Sequence, residues 1–149
     1  MKTGEICKRQ VVTAMSDEML CDVARTMRSS HVGCVVVIDG ARKPIGILTD
    51  RDIVVEVVAA GLDPTIVKVE EVMTRHPTLV LEDDDASWSL KVMRDRGVRR
   101  LPVMSEAGNL VGLVALDDLL ESAATGLSDV VQAIGTERLI ESQRRRQPA

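Results

Sequence analysis

Two carboxylates in this sequence stand where they could hold a diol. Asp52 closes the run Gly46-Ile47-Leu48-Thr49-Asp50-Arg51-Asp52, and Asp118 closes a similar run from Gly112. In the first run an apolar stretch breaks suddenly into Thr-Asp-Arg-Asp. A second apolar stretch, Ile53 to Ala60, follows without Gly or Pro. That pattern predicts a buried strand feeding straight into a helix. Thr49 stands at the N-cap with Asp52 three residues on, an approximate capping box. The pair therefore has a structural use, holding the helix start. Its chemical use is binding: a carboxylate beside a helix N-terminus can accept two hydrogen bonds from a vicinal diol, and a ribose offers one. Arg99-Arg100, directly before an apolar strand that contains Pro102, form the second candidate pair. Guanidinium forks match phosphate oxygens, although a solvated pair of charges is the plainer use.

The elements that must position these groups occur twice. A shift of 66 positions carries Gly46 onto Gly112, Asp52 onto Asp118, Arg9 onto Arg75, Asp17 onto Asp83, Met27 onto Met93 and Val37 onto Val103. Apolar partners such as Ile6/Val72, Met15/Leu81 and Ile53/Leu119 fill the places between. Two copies of one unit make up most of the chain, too few and too long for a solenoid. They read as two halves of one domain. The polar positions have diverged while the apolar frame is kept: Thr49 becomes Ala115, and Arg99-Arg100 match Gly33-Cys34.

Each copy reads as strand, helix, strand, strand, helix. In the first, an extended piece starts at Val11-Val12, Ser16 is the expected N-cap, and Met19, Leu20, Val23, Ala24 and Met27 recur at helical spacing. Cys34–Ile38 is a run of strand length, and Asp39 to Pro44 is turn material. A helix from Asp50 ends before Gly61 and Pro64. In the second copy a strand is expected at Leu79–Leu81, a helix over Ala86–Arg96 stopped by Gly97, strands at Leu101–Met104 and Leu110–Ala115, and a last helix near Asp117. The expected organisation is repeat 1 over 1–64, repeat 2 over 65–126 and an amphipathic tail over 127–149. Gly135 interrupts that tail, and Arg144-Arg145-Arg146 are frayed and solvated.

Composition narrows the function. The 149 residues are 45% apolar, enough for a buried interior, but hold no Phe or Tyr and one Trp. The core must be aliphatic, and a bound base would lie between aliphatic faces instead of stacking on a ring. A net charge of -4 provides no global field for nucleic acid. No apolar run approaches a membrane span, and a reduced, cytoplasmic setting fits three cysteines without a close pair. Cys7, Cys21 and Cys34 read as small apolar packers, and His31 and His76 as a helix end and a loop. Asp83-Asp84-Asp85 lacks the spacing of a calcium loop and reads as dipole complement before a helix. Without a nucleophile motif or Gly-rich phosphate loop, neither catalytic nor metal-ligating residues are expected.

Gly-Ile-Leu-Thr-Asp-Arg-Asp-Ile closing one unit and Val-Arg-Arg-Leu-Pro-Val-Met within the next resemble CBS domains. Up to about Ala124 the chain is similar to a tandem CBS pair, also called a Bateman module. The resemblance implies an α/β fold of two β-α-β-β-α repeats about a pseudo-two-fold axis, with a C-terminal helical tail. It implies clefts for adenosine nucleotides, AMP, ADP or ATP, and no other cofactor. Thr49 and Asp52 would hold a ribose, as would Asp118 with less help. Arg99 and Arg100 would hold phosphates, where the family has His-Arg. Val11, Val12, Thr13, Cys34 and Val35 would contact adenine. The resemblance also implies two unequal clefts, a homodimer formed through helices bearing Val54, Val55, Val57, Val58, Leu119 and Leu120, and a regulatory action on a partner protein. A purely structural assembly module is the competing expectation.

Overall fold

A computed structural model describes residues 1–144 of the chain. Arg145 and Arg146, expected to fray, lie outside the described residues. The elements run α1 (Thr3–Ile6), β1 (Thr13–Met15), α2 (Leu20–Ser30), β2 (Cys34–Ile38), β3 (Pro44–Thr49), α3 (Asp50–Ile53), α4 (Val69–Val72), β4 (Thr74–Arg75), β5 (Val80–Leu81), α5 (Ala86–Arg96), β6 (Arg100–Met104), β7 (Leu110–Ala115) and α6 (Leu116–Arg144). α3 continues as a single π turn over Val54–Val58. The fold is α/β, two tandem repeats with a C-terminal helix, as expected.

Each repeat builds a sheet in which a parallel pair is followed by an antiparallel one. In the first, β1 lies parallel to β2 and β2 antiparallel to β3; in the second, β5, β6 and β7 repeat that order. The irregularity at Val37/Ile38 recurs at Val103/Met104. All five residues of β2 are buried, which is why it reads as an unbroken apolar run and not an alternation. Leu20, Val23, Val35, Leu48 and Val57 fill one core; Val80, Met93, Leu101, Val103 and Val114 fill the other.

The repeats exchange their leading segments. α4 and β4 precede the second repeat in sequence but pack on the first: Val69 and Met73 join its core, and β4 adds an antiparallel strand beside β3. The N-terminal segment does the reverse. Cys7 enters the second core, Thr3 N–H donates to the Asp84 carbonyl, and Lys8 bridges to Leu113 of β7. This exchange cuts across the boundary expected at residue 64. It also explains two glycines. A Cβ at Gly46 would collide with Met73 Sδ, and one at Gly112 with Cys7 Sγ, so the arm from the other repeat needs a bare backbone there.

Several local expectations are corrected. α2 starts at Leu20 with Met19 as N-cap, not at Ser16, whose carbonyl instead accepts from Glu70 N–H. The π turn, closed by Ala59 N–H on the Val54 carbonyl at 2.9 Å, turns Val57 into the core and leaves Val54, Val55 and Val58 outside. Helix α6 is continuous through Gly126 and Gly135, so the segment from residue 127 prolongs the second repeat's last helix. The acidic run is used residue by residue: Asp83 pairs with Lys2, Asp84 accepts from Leu81 N–H, and Asp85 caps α5 through Ser87 N–H.

Candidate functional site

Both carboxylates sit at the step from a strand into a helix, β3 into α3 and β7 into α6, and both are held by backbone. Asp52 Oδ2 accepts from Thr49 N–H at 2.8 Å, and Thr49 Oγ1 accepts from Asp52 N–H at 3.2 Å, closing a reciprocal box. Asp118 Oδ2 accepts from Ala115 N–H at 2.8 Å, but Ala115 has no hydroxyl to return the bond. The other oxygens differ more. Asp118 Oδ1 lies 3.4 Å from Lys8 Nζ. Among the described residues Asp52 Oδ1 has no protein partner.

A cleft of about 210 Å³ opens between the repeats on one side of this step. Val11, Val12, Gly33 and Cys34 of the first repeat line it, facing Arg100, Ala115 and Asp118 of the second. Lys8, Gln10 and His31 complete its polar rim. His31 caps α2 in the left-handed region, φ 54°, which carries its ring to the cleft instead of along the helix. The rim therefore carries both signs, Lys8 and Arg100 with Asp117 and Asp118.

The structure groups the expected residues in its own way. Val11, Val12, Cys34 and Arg100 share this cleft with Asp118. Thr49 is the strand partner of Cys34, but neither Thr49 nor Asp52 lines this cleft. Thr13 lies elsewhere, in a pocket with Arg9, Arg42 and Asn109. Val35 is 1% exposed and faces the core. Arg99 turns outward, 3.6 Å from Asp117 Oδ1.

Cys34 is the wall common to both carboxylates. Burial raises its thiol to about 11, the Arg100 guanidinium pulls it back, and Asp52 and Asp50 push it further up. Arg100 and Asp52 are thus both near enough to act on one buried side chain. Lys8, Gln10 and His31 were missed in the sequence. Lys8 reaches Asp118 only because the N-terminal segment crosses to β7, and the 66-residue offset does not reveal which repeat a segment packs on. Among the described residues no group of three or more His, Cys, Asp or Glu side chains could hold a metal ion, and no helix is long and apolar enough to cross a membrane.

A family model for the CBS domain matches residues 4–59 and again 69–125. An uncharacterized protein of Methanopyrus kandleri is 36% identical over 81% of this chain, a match that spans 62% of that protein's length. A CBS domain-containing protein of Bacillus subtilis is 33% identical, with 81% of this chain and 89% of that one covered. Among solved structures, a CBS domain pair in complex with 5'-methylthioadenosine and S-adenosyl-L-methionine superposes with a TM-score of 0.76 at 21% identity, covering 85% of this chain and 98% of that one. At that identity the likeness is one of fold.

Proposed function

This chain belongs to the CBS domain family, and from that premise we propose that its tandem pair is a non-catalytic regulatory module that senses adenine nucleotides, AMP, ADP or ATP, and acts on a partner protein. The observation that carries the reading is the Thr49–Asp52 box. A helix cap needs only one carboxylate oxygen, and Asp52 spends one on Thr49 N–H while keeping Oδ1 open for a ribose hydroxyl. Arg100, across Cys34, supplies the phosphate contact, and Arg99 adds charge at the mouth. By the repeat offset, Pro77 and Thr78 stand beside this box where Val11 and Val12 stand beside Asp118. His76 N–H on the Ile45 carbonyl ties that segment to β3. The adenine lies against aliphatic walls in either case.

The two clefts are unequal. A diol at Asp118 must displace Lys8, and no hydroxyl assists it. A fold shared with a pair that binds 5'-methylthioadenosine and S-adenosyl-L-methionine supports adenosine as the common ligand moiety. The exposed Val54, Val55, Val58 and Leu120 support a homodimer, and unpaired cysteines support a reducing cytoplasm. Titration calorimetry with AMP, ADP and ATP tests the reading. Saturable binding of at least one below millimolar concentration is expected. No heat from any of the three at millimolar concentration would leave the chain as an assembly module.

A further inference from the structure

The part of α6 that leaves the second repeat carries a face with no partner among the described residues. Leu120, Ala123, Leu127, Val130, Val131 and Ile134 lie on one side of the helix and are all exposed. The spacing from Leu120 through Ala123, Leu127 and Val130 to Ile134 alternates three and four, the seam of a helix–helix contact. The sequence here is also symmetric about its own middle. Read outward from the bond between Val130 and Val131, the two directions give Val, Asp, Ser, Leu, Gly, Thr and Val, Gln, Ala, Ile, Gly, Thr. Gly126 and Gly135 fall at matching places, with nothing near either. Nine residues apart, they flank the apolar seam on opposite sides of the helix.

We propose that this face is one half of an isologous, antiparallel helix pair, its two-fold axis passing between Val130 and Val131, and that the other half is α6 of a second copy of this chain. It rests on the homodimer reading above and names the contact that makes it. A helix whose face is symmetric about its midpoint is complementary to itself when two copies cross antiparallel. Leu127 then meets Ile134 of the partner. Charge selects the direction. From Leu116 to Val130 the helix bears Asp117, Asp118, Glu121 and Asp129 and no cation, whereas after Ile134 Glu137 and Glu141 are balanced by Arg138 and Arg144. Antiparallel pairing sets the acidic start of each helix beside the charge-balanced end of the other; parallel pairing would set acidic beside acidic. The described part of the helix cannot cover its own face. Its 29 residues form one helix of about 43 Å, which cannot fold back on itself.

Disulfide trapping tests the geometry in a Cys21→Ser background, where the remaining thiols are buried. Copies bearing Leu127→Cys mixed with tagged copies bearing Ile134→Cys should form a crossed disulfide on mild oxidation. Ile134→Cys alone should not, because its two copies stand about 10 Å apart along the axis. Sedimentation equilibrium supplies the second reading: Ile134→Asp should weaken self-association at least about tenfold, and by more than Val58→Asp does. Homotypic Ile134→Cys disulfides would overturn the antiparallel pair. A dimer broken by Val58→Asp but not by Ile134→Asp would overturn this contact and leave the homodimer standing. A wild-type chain that sediments as a monomer would remove both.

Discussion

Replacing each of the two carboxylates with alanine separates capping from binding. Asp52 and Asp118 each accept one strand-end N–H at 2.8 Å, so either substitution removes a comparable cap, about 1 kcal/mol of stability. The two variants should therefore melt within a few degrees of each other. Their ligand affinities should part. At Asp52 the open oxygen and the Thr49 hydroxyl offer a charge-assisted contact of about 1.5–3 kcal/mol, so Asp52→Ala should weaken AMP binding roughly 10- to 150-fold. At Asp118 the ligand must first break the pair with Lys8, which is 77% exposed. Such surface pairs contribute about 0–1 kcal/mol, and that sum is subtracted from what the diol gains. Asp118→Ala should therefore cost up to about fivefold less in AMP affinity than Asp52→Ala does. Calorimetric titration of both variants, with melting curves recorded alongside, measures both quantities. Equal losses, or a larger loss at Asp118, would refute the argument from the open oxygen.

Arg100→Ala should weaken AMP binding at least about tenfold while leaving adenosine within twofold, since the guanidinium addresses only the phosphate; equal losses for both ligands in the same titrations would count against that role. Gly46→Ala should lower stability by about 1–3 kcal/mol in urea unfolding, because the new methyl meets Met73 Sδ and lies close to the Thr74 carbonyl. The Cys34 thiol, raised by burial from 9.0 to about 11, favours the folded state while protonated. Its contribution is complete below about pH 9 and is lost as pH rises through about 11, by about 3 kcal/mol, and Cys34→Ala should flatten the stability profile over that window. Deleting residues 1–8 should raise hydrogen exchange in α5 and β7 of the second repeat, while β2 of the first stays protected, since Cys7 and Lys8 complete only the second sheet.

Much of this was legible in the chain. The offset between Gly46 and Gly112 and the switch from apolar strand to Thr-Asp-Arg-Asp are local patterns, and β2, α5 and β7 fall where periodicity puts them. The box at Thr49 and Asp52 was legible because a cap is made by neighbours in sequence. What was not legible depends on distant segments. Val11 and Val12 fall beside Asp118 and not Asp52 because the arm carrying them has just crossed to β7. Lys8 acquires its carboxylate by the same route. Val35 looked available because β2 alternates in space but not in composition; with every position apolar, the sequence does not tell which faces the core. Gly126 and Gly135 read as breaks because an isolated helix is weakened by glycine, yet the helix runs through both.

The crossed arms also bear on how such a molecule came to exist. A lone repeat would carry an arm with nothing beneath it and a sheet edge with a vacant slot, both sized for each other but joined in the wrong place. Two identical single-repeat chains would satisfy one another by trading arms, as a swapped dimer whose persistence depends on concentration. Joining them through the short segment Gly61-Leu62-Asp63-Pro64 makes that encounter intramolecular and independent of how dilute the protein becomes. Once joined, the copies are free to differ, and the loss of a hydroxyl at Ala115 or the gain of a guanidinium at Arg100 no longer has to be tolerated twice.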